Sequence, residues 1–73
     1  MPNKSLYELG SRIRSHRKRL GLSQEALAER AELDRSYIGG IERGNRNITI
    51  VTLCRVARAL KIDVSDLTRG LPL

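Results

Sequence analysis

The side chains able to do covalent or metal chemistry are few and scattered. His16 and Cys54 are the single histidine and single cysteine among 73 residues. Neither has metal-ligand spacing around it, and no spaced carboxylate pair stands ready as acid and base. No enzyme activity, no metal site and no cofactor are expected. His16 reads as a surface side chain. Cys54 reads as a buried or half-buried structural thiol, in a chain suited to the reducing cytoplasm. What the chain does hold in quantity is cations: 14 Lys and Arg face 8 Asp and Glu, a net charge of +6. That balance suggests a polyanion partner; the bland alternative is a merely soluble basic protein. The charge is patterned by segment, with +5 in residues 1–21, −2 in 22–33, +1 in 34–47 and +2 in 48–73. No apolar run approaches a membrane span, and an interfacial helix would want large aromatics, whereas the chain has no Trp or Phe and only two Tyr. Neither a membrane nor a small-molecule ligand is expected as a partner.

The elements that must position these cations are organised around Leu22–Gly44. Ser23 and Asp34 are helix N-caps, and Leu22 with Leu27 and Leu33 with Ile38 have hydrophobic-staple spacing. A helix is expected over about residues 23–30 and another over about 34–42. With only Ala31-Glu32-Leu33 between them, the second must turn sharply across the first, as in a helix-turn-helix. Leu27, Ala28 and Ala31 face the core from one helix, Ile38 and Ile41 from the other. Gln24 stands in a first turn, among free amides that suit a phosphate. Arg35 projects from the start of the later helix and Tyr37 from its flank, while Ser36, Gly39, Gly40 and Arg43 fall on its outer face. Adjacent glycines inside a helix cost about 1 kcal/mol each relative to Ala. A close approach to a groove wall would explain them, as would tight packing against another helix. Glu25 and Glu29 share a face at a like-charge spacing that does not help the helix; simple solvation is the ordinary reading.

Around this unit, Ser5 with Glu8 has the pattern of a capping box for a first helix. Leu6, Leu9, Ile13 and Leu20 form its apolar stripe, and Gly21 is its left-handed terminator. Arg17-Lys18-Arg19 can be a solvated end that complements the helix dipole, or a phosphate contact with Arg17 at its head, or both. After Gly44, the loop Asn45-Arg46-Asn47 carries good phosphate donors. Thr49 caps a fourth helix with core stripe Leu53, Val56, Ala57 and Leu60, and Ile48 with Leu53 repeats the staple. Lys61 stands where a glycine would suit the end of that helix. Ser65 caps a short fifth helix reaching about Arg69. Val64, Leu67, Leu71 and Leu73 leave this tail more apolar than a monomer requires and are read as a dimer seam. One all-α domain of five helices spans 1–73, small enough for oligomerisation to support it.

The whole chain resembles the Xre/Cro family of phage-repressor-like DNA-binding domains. The matching pieces are Leu22-Ser23-Gln24-Glu25, Ala28, Ala31, Leu33 and Gly44. The run Leu33 to Gly44, LDRSYIGGIERG, followed by Arg46-Asn47-Ile48-Thr49, is similar to the controller proteins of restriction–modification systems. The resemblance implies a lambda-repressor-like fold, a homodimer on a pseudo-palindromic operator, and a regulator of its own operon. It implies that the helix after Asp34 lies in the major groove of double-stranded DNA, with Arg35, Ser36 and Tyr37 reaching bases or adjacent phosphates. Gln24 would brace that helix and a phosphate, and Arg43, Arg46 and Asn47 would contact phosphates. A Ser at 36, where Thr would add a methyl, weakens contact with a thymine methyl, so no operator sequence carries over. Some phage-type repressors touch RNA polymerase through acidic residues matching Glu25 and Glu29. The alternative from another class is an antitoxin that binds a toxin while its helix-turn-helix represses the operon.

Overall fold

The computed structural model describes residues 3–72 and holds five helices with, among the described residues, no strand. They are α1 (Lys4–Arg19), α2 (Gln24–Ala31), α3 (Arg35–Glu42), α4 (Ile50–Ala59) and α5 (Val64–Thr68). Three of the expected caps stand where their side chains can accept a first-turn amide. Ser23 Oγ accepts from Ala26 N–H at 3.0 Å, Asp34 from Ser36 N–H at 3.2 Å and Thr49 Oγ1 from Thr52 N–H at 3.1 Å.

Two caps differ from expectation. Asn3, not Ser5, opens α1, its Oδ1 accepting from Ser5 N–H at 2.8 Å and Leu6 N–H at 3.3 Å. Asparagine caps as well as serine, and its position lets the helix begin two residues earlier. Glu8 is left to pair with Arg12 at 3.3 Å. Asp63, not Ser65, opens α5, with the Asp66 carboxylate accepting from Asp63 N–H at 3.0 Å.

The first four helices end alike. Gly21, Glu32, Gly44 and Lys61 each adopt positive φ, and the following amide reaches back into the last turn: Leu22 to Arg17 O, Leu33 to Ala28 O, Asn45 to Gly40 O and Ile62 to Ala57 O, all at 2.8–3.0 Å. This is the Schellman closure. Glu32 and Lys61 hold it without glycine, at a cost of about 1–2 kcal/mol each.

The core joins Leu9 and Ile13 of α1, Leu27, Ala28 and Ala31 of α2, Ile38 and Ile41 of α3, the α4 stripe with Ala59, and Leu67 of α5. Leu33 and Ile48 pack against it from the corners. Leu20 does not join it. The inward slot one turn after Ile13 belongs to Arg17, and Leu20 lies past the helix end, exposed. Cys54 is exposed rather than buried, because it lies about 100° round the helix from Leu53, off the inward stripe.

One residue of the expected dimer seam, Leu67, is taken up by the protomer's own core, where it is fully buried. Val64 and Leu71 are half-buried against the same core; Leu73 lies outside the described residues. So short a fifth helix stays on the bundle through its leucine anchor and through Arg12, whose Nη1 donates to Arg69 O at 2.6 Å and Leu67 O at 3.3 Å. Exposed large apolar side chains lie elsewhere: Tyr7 and Leu20 on and just past α1, and the adjacent Ile50 and Val51 at the start of α4, which are 67% and 68% exposed.

Gly10 sets how closely α1 crosses the end of α3. A Cβ there would fall 2.4 Å from Ile41 O and 2.5 Å from Glu42 O, backbone atoms that cannot step aside.

Candidate nucleic-acid interface

One buried carboxylate bolts α2 and α3 to α1. Glu42 falls one helical turn after Ile38, so its side chain points inward, and it is completely enclosed. Arg17 meets it in a forked pair, Nε to Oε2 at 2.6 Å and Nη2 to Oε1 at 3.0 Å, while Nη1 donates to Leu22 O at 2.8 Å. Gln24 Nε2 adds a third donor to Oε1 at 3.0 Å, and Arg14 Nε lies 3.6 Å away. The carboxylate therefore ties together α1, the first turn of α2 and the end of α3. Burial alone would push the Glu42 carboxyl up, but the hydrogen bonds from Arg17 and Gln24 and the charges of Arg17 and Arg14 outweigh it and hold the carboxyl below its ordinary value. The bond to Glu42 in turn raises the Arg17 guanidinium, against a smaller opposing effect of burial.

Arg17 is thus corrected from a surface phosphate contact to an internal bracket: its donors are taken by Glu42 and the Leu22 carbonyl. A sequence signal existed. Arg17 is one turn beyond Ile13 and Glu42 one turn beyond Ile38, so opposite charges occupy inward positions of two stripes.

The other candidates lie around α3. Arg35 and Ser36 are exposed in its first turn, the Ser36 hydroxyl turned back onto the Asp34 carboxylate. Tyr37 is half-buried, with one flank against the core. Arg43, Asn45, Arg46 and Asn47 are exposed. Arg46 folds back from the loop so that its Cζ stands 5.6 Å from the Tyr37 ring centroid, a cation–π distance. Gly39 and Gly40 are buried rather than open to a groove wall. Side chains cover them: Arg43 Nη1 and, from α2, Gln24 Oε1 lie 3.1 and 3.5 Å from a Cβ built at Gly39, and Arg46 Cγ from the following loop lies 2.9 Å from one built at Gly40. Gln24, Tyr37, Arg43 and Arg46 are thereby gathered on one face of α3. Arg14, which sequence reasoning did not single out, shares a recess beside Arg43 with Asn45 of the polar loop, Tyr7 and Ser11. Glu25 and Glu29 are exposed on α2.

Two short capped helices across a three-residue corner, with arginine at the start of the later one, define a helix-turn-helix protein. The helix-turn-helix family model matches residues 13–67. The control protein C.SmaI of Serratia marcescens is 48% identical over 59 residues, covering 81% of this chain and 70% of that protein. The crystal structure of the controller C.AhdI from Aeromonas hydrophila superposes with a TM-score of 0.84 at 48% identity, covering 85% of this chain and 94% of that one. The controller C.Esp1396I, solved as a tetramer with its natural 35-base-pair operator, superposes with a TM-score of 0.80 at 38% identity over 84% of this chain and 80% of that one. The chain belongs to the helix-turn-helix family, among the controller proteins of restriction–modification systems.

Proposed function

We propose that this protein is a sequence-specific transcriptional regulator that binds a pseudo-palindromic operator as a homodimer and controls a restriction–modification operon that includes its own gene. The carrying observation is Arg35, exposed in the first turn of α3 where its positive charge opposes the helix dipole. A cation left there at a cost to its own helix is better explained by a partner than by stability. In this reading Arg35, Ser36 and Tyr37 face bases in the major groove, while Gln24, Arg43, Arg46 and Asn47 hold phosphates. Two such helices in a dimer stand about 34 Å apart and read two half-sites.

The test is fluorescence anisotropy of a labelled duplex from upstream of the gene, against a scrambled duplex and across a salt series. Selective binding at dimer stoichiometry is expected, weakening by about 0.9 log units per tenfold salt for each phosphate neutralised. Equal affinity for both duplexes would sink the reading.

The dimer seam in this reading is the start of α4, where exposed Ile50 and Val51 adjoin Cys54, Arg55 and Arg58. Val51→Asp should turn the dimer into a monomer in analytical ultracentrifugation, should remove the concentration dependence of the thermal midpoint, and should weaken operator binding. A dimer that survives the substitution would place the seam elsewhere.

Glu25 and Glu29, exposed on α2, form a further part of the reading as an activating contact with RNA polymerase. Reversing both to Lys should abolish activation in a reporter assay and spare operator binding; activation at the wild-type level would remove the contact from the proposal.

A further inference from the structure

The glycine pair of α3 asks for an explanation that groove approach does not supply, since both residues are covered by the protein's own side chains. Neither glycine has positive φ, so the helical backbone itself would accept alanine and favour it. What alanine would disturb differs between the two. At Gly39 a Cβ meets only Arg43 Nη1 at 3.1 Å and Gln24 Oε1 at 3.5 Å, the free ends of flexible side chains. At Gly40 it meets Arg46 Cγ at 2.9 Å, Nε at 3.2 Å and Cδ at 3.6 Å. The Cγ atom is near the root of its side chain and cannot move without changing χ1 or shifting the loop. Either movement lifts the guanidinium from its place over the Tyr37 ring, 5.6 Å from the centroid.

Resting on the reading of α3 as the DNA reader, we propose that Gly40 is a positioning residue: its bare surface is the seat along which the Arg46 stem lies, and the seat presents the guanidinium, stacked on Tyr37, to the operator before DNA arrives. A free surface arginine samples many rotamers and loses that freedom on binding. Seating it in advance moves the loss from binding into folding. The helix thus carries a poor helix former to hold an arginine ready. The guanidinium can then meet a phosphate or a guanine edge, which present the same acceptor chemistry in two places.

Two measurements on the full chain test this. In proton NMR of the DNA-free protein, the Arg46 δ protons should be shifted upfield by the Tyr37 ring, and that shift should vanish in Gly40→Ala and persist in Gly39→Ala. No such shift in the wild type would overturn the seat, whatever the variants do. In anisotropy titrations, Gly40→Ala and Arg46→Ala should each weaken operator binding about tenfold, and the double variant should bind no worse than either alone. Gly40→Ala should melt at or above the wild-type midpoint. A loss confined to the operator duplex assigns the guanidinium to a base edge; an equal loss on scrambled duplex, with a shallower salt slope, assigns it to a phosphate. Multiplied losses in the double variant, a Gly40→Ala that binds like wild type, or one that merely lowers the midpoint would overturn the proposal. Should the wild type fail to prefer its operator, the DNA-binding reading fails, while the NMR comparison still decides the seat.

Discussion

Glu42→Ala should be the most destabilising single substitution at this site, bringing the protein close to its unfolding threshold. Removing this carboxylate strands the Arg17 guanidinium, which is only 9% exposed, and frees the Gln24 amide from its partner. Breaking a buried pair by deleting one member costs about 3–5 kcal/mol. Small domains sit at the low end of the usual 5–15 kcal/mol of total stability, so roughly half or more of it would go. Urea denaturation followed by circular dichroism would measure this directly. A midpoint within experimental error of wild type would show that the carboxylate is not the bolt the geometry makes it. Glu42→Gln should lose less, because the amide oxygen still accepts one hydrogen bond. Arg17→Met combined with Glu42→Leu should recover much of the loss, since filling both positions with apolar groups leaves no charge stranded.

The same residue predicts the acid limb of stability. The Glu42 carboxyl is held below its ordinary value of 4.5 in the folded protein, so the unfolded chain takes up this proton first as pH falls. Its contribution is therefore complete above about pH 4.5 and is lost as pH drops toward the folded value. In Glu42→Gln this part of the slope should disappear, leaving a flatter acid limb than wild type.

Arg35→Ala is the second large effect, and it should divide stability from function. Arg35 is exposed, and its charge at the N-terminal end of α3 is unfavourable by about 0.3–1 kcal/mol. Truncation should therefore leave the thermal midpoint unchanged or slightly raised. Operator binding should instead fall sharply, because a bidentate arginine–guanine contact contributes about 1–3 kcal/mol of discrimination and a two-fold complex has two of them. Affinity should collapse toward that for scrambled DNA while the phosphate-driven residue of binding stays. A variant that keeps its selectivity would mean another side chain reads the operator. A variant that loses selectivity only by unfolding would show in the melt.

Much of the fold was legible because its signals are local. Ser23, Asp34 and Thr49 cap the helices that follow them, and each acts through an amide two or three residues away. Gly21 and Gly44 close helices through bonds spanning five residues. The apolar stripes of α2, α3 and α4 lie at helical spacing and point where that spacing requires. Misreadings came where two local solutions competed or where orientation depended on a partner. Asn3 outran Ser5 as a cap, and Asp63 outran Ser65. Cys54, beside an inward stripe, proved to be on the open side of it. Leu67 looked like surplus apolar surface until α5 was laid against α1 and α4, where it completes the core.

By itself, then, the chain's order of residues determined five helices, the helix-turn-helix corner and the exposed arginine that opens α3, because caps, staples and periodicity are settled within a turn or two of backbone. Only the tertiary structure decided what Arg17, Gly10 and Gly40 do. Arg17 reaches a carboxylate 25 positions away, Gly10 lies under the carbonyls of Ile41 and Glu42, and Gly40 lies beneath an arginine returning from the following loop. A charge in a basic run and a glycine in a helix each have a cheap local reading. Which reading holds depends on the side chain or backbone brought against them, and that is set by the packing of helices rather than by neighbours in sequence.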